Sequence, residues 1–80
     1  MAHNVPATVI GTRRISSNRD ANPRYEVTTE QGTWKTAPGG SVGYGISNSE
    51  YQGPVILTID HGLIVGVATP DGQHHTGRLE

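Results

Sequence analysis

Polar and apolar residues alternate over residues 24–30, the pattern of a strand with one buried face. The apolar face carries Tyr25, Val27 and Thr29. A turn at Gln31-Gly32 predicts a second strand that pairs with the first, with Val27 opposite Thr36. In this register Trp34 faces the core.

The aliphatic residues between 55 and 68 predict a second hairpin. A three-residue loop, Asp60-His61-Gly62, brings the apolar residues of its two strands onto one continuous face. The predicted pairs are Ile59 with Leu63, Leu57 with Val65, and Val55 with Val67. Ile56 and Ile64 then fall on the opposite face, which we expect to be either covered or a contact surface.

The remaining segments predict one more strand and a short helical plug. Residues 5–15 are rich in β-branched side chains, and Gly11 indicates a bulge. Between the hairpins, Ser41 can cap one short helical turn, and residues 47–50 have the spacing of a capping box for a second. The expected fold class is all-β: a small five-stranded OB-like or SH3-like barrel with a short helical plug between strands 3 and 4.

The length of 80 residues predicts a single domain. We expect a flexible N-terminus over residues 1–4, the barrel over 5–70, and a flexible C-terminal tail over 71–80. The sequence contains no cysteine, which excludes disulfides and thiolate metal sites. It also lacks an apolar run of the roughly 18 residues that predict a membrane span, so no membrane partner is expected.

The charge balance does not favour a general nucleic-acid binder, because the formal net charge is −1 at pH 7. Residues 1–40 nevertheless carry five basic and three acidic side chains, whereas residues 41–80 carry one and four. The candidate contacts for an anion or a nucleic acid are Arg13, Arg14, Arg19, Arg24 and Lys35. The predicted register points Lys35 outward but Tyr25 and Trp34 inward, which separates cations from aromatic rings.

Neither a catalytic site nor a metal site is expected. The four histidines lack the i, i+2 strand spacing or i, i+4 helix spacing of metal ligands. Asp60 and His61 offer an acid and an imidazole, but we do not expect neighbours in a tight loop to form the hydrogen bond that orients a catalytic histidine. The predicted protein is not an enzyme and has no cofactor.

Four runs of the sequence carry a family resemblance: Gly11–Arg14, Asn22–Val27, Ser41–Asn48 and Gly53–Val55. They resemble small uncharacterised proteins of actinobacterial phages, over about residues 11–70. The resemblance implies a phage or prophage origin and action in the cytoplasm of a bacterial host or in the virion. It implies no activity and no catalytic residues.

The expected function is that of a protein-interaction module that self-associates. Its partner is a host protein or its own copies, and its role is that of a host-protein-binding factor or a virion component. The predicted interaction residues are Tyr44, Tyr51, Ile56 and Ile64. The alternative is an OB-like binder of single-stranded nucleic acid or of a small anionic nucleotide, through the basic residues named above.

Overall fold

The computed structural model describes residues 2–15, 23–38 and 41–78 of the chain. Within them, six β-strands and two short 3₁₀ turns form. The strands are β1 (His3–Arg14), β2 (Tyr25–Thr29), β3 (Gly32–Thr36), β4 (Pro54–Asp60), β5 (Leu63–Ala68) and β6 (His75–Gly77). The two 3₁₀ turns, Ser41–Tyr44 and Ser49–Tyr51, lie between β3 and β4.

Strands β1 to β5 close into a barrel. Neighbouring strands follow the order β3, β2, β1, β4, β5, and a parallel pairing of β3 with β5 joins the two ends of this sheet. The parallel pairing contains Lys35 with Leu63 and Thr36 with Ile64. The prediction of a small all-β barrel of five strands is therefore confirmed.

Strand β1 is long, with 12 residues, because each half pairs with a different neighbour. Residues 3–8 pair with β4, and residues 9–14 pair with β2. The register to β2 shifts between Val9 and Gly11, which confirms the predicted bulge. The bulge leaves the side chain of Ile10 on the surface, 69% exposed.

The β2–β3 hairpin has a different register from the predicted one. Val27 lies opposite Trp34, where the prediction placed Thr36. The turn residues are therefore Glu30-Gln31, and the Thr29 hydroxyl supports this turn by accepting a hydrogen bond from the Gln31 N–H at 3.1 Å. The error is a shift of two residues, so the same side chains still face inward.

The β4–β5 hairpin turns through two residues instead of the predicted three. His61 and Gly62 have φ values of 53° and 77°, the positive pair that a type I′ turn requires. Val65 is then an extra residue on β5, where the register shifts by one. The predicted pairing, which left Ile64 on the outer face, is wrong: Ile64 lies opposite Ile59 and is fully buried.

The segment between the hairpins acts as the predicted plug, built from 3₁₀ turns. Val42, Ile46 and Tyr51 are buried in it. The predicted capping box is wrong, because the residue before the second turn is Asn48 and its side chain makes no capping hydrogen bond. This 3₁₀ geometry suits a segment whose glycines disfavour a longer helix.

A sixth strand lies within the residues expected to be a flexible tail. Strand β6 pairs antiparallel with β5, with Thr76 opposite Val67. The N–H of Arg78 donates a hydrogen bond to the Val65 carbonyl at 2.7 Å. Residues 75–77 therefore belong to the sheet, and at the other end of the chain β1 begins at His3, inside the expected flexible N-terminus.

The core is aliphatic, with one tyrosine. Its buried hydrophobic residues are Ala7, Val9, Val27, Val42, Ile46, Tyr51, Val55, Leu57, Ile59, Ile64 and Val67. Val5, Tyr25 and Trp34 are partly buried and pack against this cluster. Trp34 therefore lies at the edge of the core, on the inward face that the sequence pattern predicts for it.

Candidate functional site

An apolar row crosses the outer face of strands β1, β4 and β5. Ile56 on β4 lies opposite Pro6 on β1 and opposite Ala68 on β5. Its neighbours Val55 and Leu57 are buried, so the alternation of a strand turns Ile56 outward. Ile56 and Ala68 are half-buried, and Pro6 is exposed. We call the outer apolar face the set Pro6, Pro54, Ile56 and Ala68.

Two of the four residues predicted to bind a protein remain at the surface. Tyr44 is 64% exposed, and Ile56 is half-buried. Tyr51 and Ile64 are buried, with only 3% and 0% of their surface exposed to solvent. Tyr51 fills the plug and the β5 bulge turns Ile64 inward, so neither forms a contact surface in the folded chain and this part of the prediction is corrected.

Three charged side chains form a row across the outer face of β1, β2 and β3. Arg13 lies opposite Glu26, and Glu26 lies opposite Lys35. The Arg13 Nη2 atom is 3.2 Å from Glu26 Oε1, in a pair whose arginine is 73% exposed. Solvent screening makes such a pair worth only about 0–1 kcal/mol. Because the charges alternate in sign, the row is weaker as a phosphate-binding patch than the sequence suggests.

The other candidate cations do not gather into one site. Arg24, which directly precedes β2, donates a hydrogen bond from Nε to the carbonyl oxygen of Thr36, the last residue of β3, at 3.1 Å. This bond links β2 to β3. Arg14 is exposed at the end of β1, and Arg19 lies outside the described residues. Tyr25 and Trp34 pack against the core, as their predicted inward orientation requires. Their rings therefore do not lie on the outer face that carries the charged row.

A charged cluster joins the β4–β5 turn to the residue after β6. The Asp60 Oδ1 atom is 2.9 Å from His61 Nδ1, and Arg78 donates to the other carboxylate oxygen. The Arg78 guanidinium lowers the pKa of Asp60. The Asp60–His61 contact joins neighbouring residues of a turn in which His61 has positive φ. The cluster fastens the end of the described chain to the barrel.

Clusters of metal-ligating side chains and membrane-spanning helices are both absent from residues 2–15, 23–38 and 41–78. In these ranges no group of three or more His, Cys, Asp or Glu side chains is placed to hold a metal ion. In the same ranges no helix is long and apolar enough to cross a membrane.

Comparison of the chain with protein families, with curated proteins and with solved structures finds no significant match. The surfaces of the molecule are therefore the basis on which its function is inferred.

Proposed function

We propose that this chain is a non-enzymatic protein-interaction module that binds through its outer apolar face. The observation that carries the proposal is the position of Ile56, at the centre of an outward apolar row and outside the core cluster. Removing an aliphatic side chain of this size fully from water stabilises an assembly by about 1.5–3 kcal/mol. A partner that covers the row gains part of this free energy.

A second copy of the chain is the partner that this face fits best. A two-fold symmetric interface pairs one patch with itself, and the four residues of the outer apolar face carry no charge that such an interface would bury. A chain of 80 residues without cysteine also has few other means of adding stability. The phage resemblance supports two roles for the module, as a virion component or as a factor that binds a host protein.

Measuring the mass in solution tests the self-association. Light scattering after size-exclusion chromatography is expected to give a mass above the 8.5 kDa of one chain. Ile56→Lys places a charge at the centre of the face and is expected to give the monomer mass. The matched control is Thr33→Lys, an equal change at an exposed position of β3, outside the outer apolar face. A wild-type monomer over the accessible concentrations, or an oligomer that Ile56→Lys leaves intact, would contradict the proposal of self-association.

The same variants test a host partner. Each tagged protein is incubated with a bacterial lysate, and the retained proteins are identified by mass spectrometry. A host protein held by wild type and by Thr33→Lys, but lost with Ile56→Lys, supports binding through the outer apolar face. Retention that is equal in all three would show that the face is not used.

Nucleic-acid binding is the second candidate, and the strand order supports it. A meander of β1, β2 and β3, followed by β4 and β5 and closed between β3 and β5, is compatible with an OB-like barrel. Such barrels often bind oligonucleotides on the face of strands 2 and 3. In this chain that face carries Lys35 next to the Arg13–Glu26 pair. We rank this function second because the aromatic rings of these strands pack against the core.

Fluorescence anisotropy with a labelled single-stranded oligonucleotide tests this candidate. Binding through phosphate contacts weakens steeply between about 50 and 200 mM salt. It also weakens when Arg13 and Lys35 are both changed to Ala. An affinity that changes neither with salt nor with the two substitutions would refute this function.

A further inference from the structure

A cavity of about 430 Å³ lies between the 3₁₀ turns and β6. This volume is within the range of about 300–1,000 Å³ that small-ligand sites occupy. Its walls come from the two segments 44–51 and 73–76. The cavity shares no residue with the outer apolar face, so its function does not depend on the proposed interaction.

One carboxylate stands in the wall of the cavity. Glu50 lines it together with His74 and His75, and the described residues that line it include neither lysine nor arginine. The Asn48 amide lies 3.5 Å from the Glu50 carboxylate, at the outer limit of a hydrogen bond, so the carboxylate can accept stronger ones. The Asp71 carboxylate adds negative charge next to the cavity wall, where it accepts a hydrogen bond from the Gln73 N–H at 3.0 Å. The Thr69 hydroxyl holds the pKa of Asp71 below its usual value.

The exposed ring of Tyr44 gives the cavity aromatic surface beside this charge. Tyr44 is 64% exposed, whereas Tyr51 is only 3% exposed and forms part of the core. Burial raises the pKa of Tyr51, and the nearby Glu50 carboxylate adds to the effect. The Tyr51 phenol therefore stays uncharged, and Glu50 is the acidic group in the cavity wall.

We infer that this cavity binds a guanidinium group, through the Glu50 carboxylate and the exposed ring of Tyr44. A planar guanidinium can donate two parallel hydrogen bonds to a carboxylate and stack on an aromatic ring. The arginine nearest in sequence to the cavity wall, Arg78, pairs with Asp60 in the cluster at the β4–β5 turn. The proposed ligand is a guanidinium group from outside the chain.

Nuclear magnetic resonance of the full chain tests the inference. The probe is arginine with both ends capped, and its control is capped citrulline, which has the same shape without the charge. We expect saturable shifts of the Gly45, Asn48 and Thr76 amides with the arginine probe at millimolar concentrations. Glu50→Gln is expected to weaken this binding by about tenfold or more. Glu26→Gln, which removes an equal charge on the far strand β2, is expected to leave the binding unchanged.

Several outcomes separate support from refutation. Tighter binding of free arginine than of the capped form supports a metabolite as the source of the guanidinium, and the reverse order supports a partner protein. Equal shifts with capped citrulline would overturn the inference, and so would wild-type affinity in folded Glu50→Gln. Ile56→Lys is expected to retain arginine binding, so failure of the outer apolar face does not alter this result.

Discussion

Replacing Gly77 with alanine tests whether β6 is an integral part of the fold. Gly77 has a φ of 83°, and an added Cβ would lie 2.5 Å from the Val65 carbonyl oxygen and 2.8 Å from the Val42 Cβ. Gly72 is the matched control, because its φ is 76° and an added Cβ there meets nothing within 4 Å. Both substitutions force alanine into the left-handed region, but only Gly77→Ala adds a clash.

The expected free energies of unfolding follow from this difference. Left-handed strain costs about 1–2 kcal/mol, from which the reduced freedom of the unfolded alanine chain subtracts about 0.4–1 kcal/mol. This net cost, about 1 kcal/mol, applies to both variants. The clash adds about 1–3 kcal/mol to Gly77→Ala alone. A difference of about 2 kcal/mol corresponds to a Tm difference of about 8–16 °C in a domain of this size.

Urea unfolding gives the comparison, with the fluorescence of the partly buried Trp34 as the probe. Hydrogen exchange of the Arg78 amide, which donates to the Val65 carbonyl, reports whether β6 stays attached. If β6 packs as described, Gly77→Ala unfolds at lower urea than Gly72→Ala or exchanges this amide faster. Equal unfolding free energies, within about 0.5 kcal/mol, together with unchanged exchange would refute the packing of β6.

Four further substitutions, one of them a control, test the barrel. Ile64→Ala removes a fully buried side chain and is expected to lower the free energy of unfolding by about 2–5 kcal/mol. The control Ile10→Ala changes a side chain that is 69% exposed and is expected to lower it by under about 0.5 kcal/mol. Equal urea midpoints would contradict the burial of Ile64. Gly43→Ala places a Cβ against the backbone oxygen of Pro23, so we expect a loss of cooperative thermal unfolding. A wild-type Tm would exclude this contact. Because Arg78 lowers the pKa of Asp60, their pairing stabilises the fold above the unfolded value of 3.8 and is lost as pH falls through the folded pKa. The stability deficit of Arg78→Gln is therefore expected at neutral pH and vanishes in acid; a deficit that does not change with pH would count against the pairing.

The faces of the strands could be predicted from the sequence, because alternation depends only on the two-residue period of a strand. Val27 and Leu57 are buried as this period requires, and Gly11 marks the bulge. The β2–β3 register was misjudged by two residues, an even shift that preserves the faces. The fold class therefore survived an error in the pairing.

The β4–β5 hairpin shows what the pattern could not predict. An unbroken aliphatic face favoured a three-residue loop, but His61 adopts positive φ and the extra residue is absorbed at Val65 instead. That one-residue shift moved Ile64 from the expected contact surface into the core. Ile56 points outward as predicted, because the register shift lies between Thr58 and Ile59, later in β4.

The cavity could not be found from the sequence, because its two walls are far apart along the chain. They meet only where β6 docks, and β6 lies in a polar segment with little strand character. Tyr44 and Tyr51 were predicted to bind a protein, but nothing in the pattern placed them with Glu50 opposite residues 73–76. Tertiary packing, which local propensity does not encode, creates this site.

The division of β1 between two partners has a consequence for synthesis on the ribosome. Residues 9–14 can pair with β2 early, but residues 3–8 wait for β4, which is made about 50 residues later. On the β2 side of residues 3–8, two side chains occupy the backbone groups of the strand edge. The Glu30 carboxylate accepts a hydrogen bond from the Thr8 N–H, and the Gln31 amide donates one to the Pro6 carbonyl. Proline also removes one donor from the strand. The nascent barrel thereby keeps other chains from the β2-side edge of residues 3–8, while their other edge stays open until β4 is made.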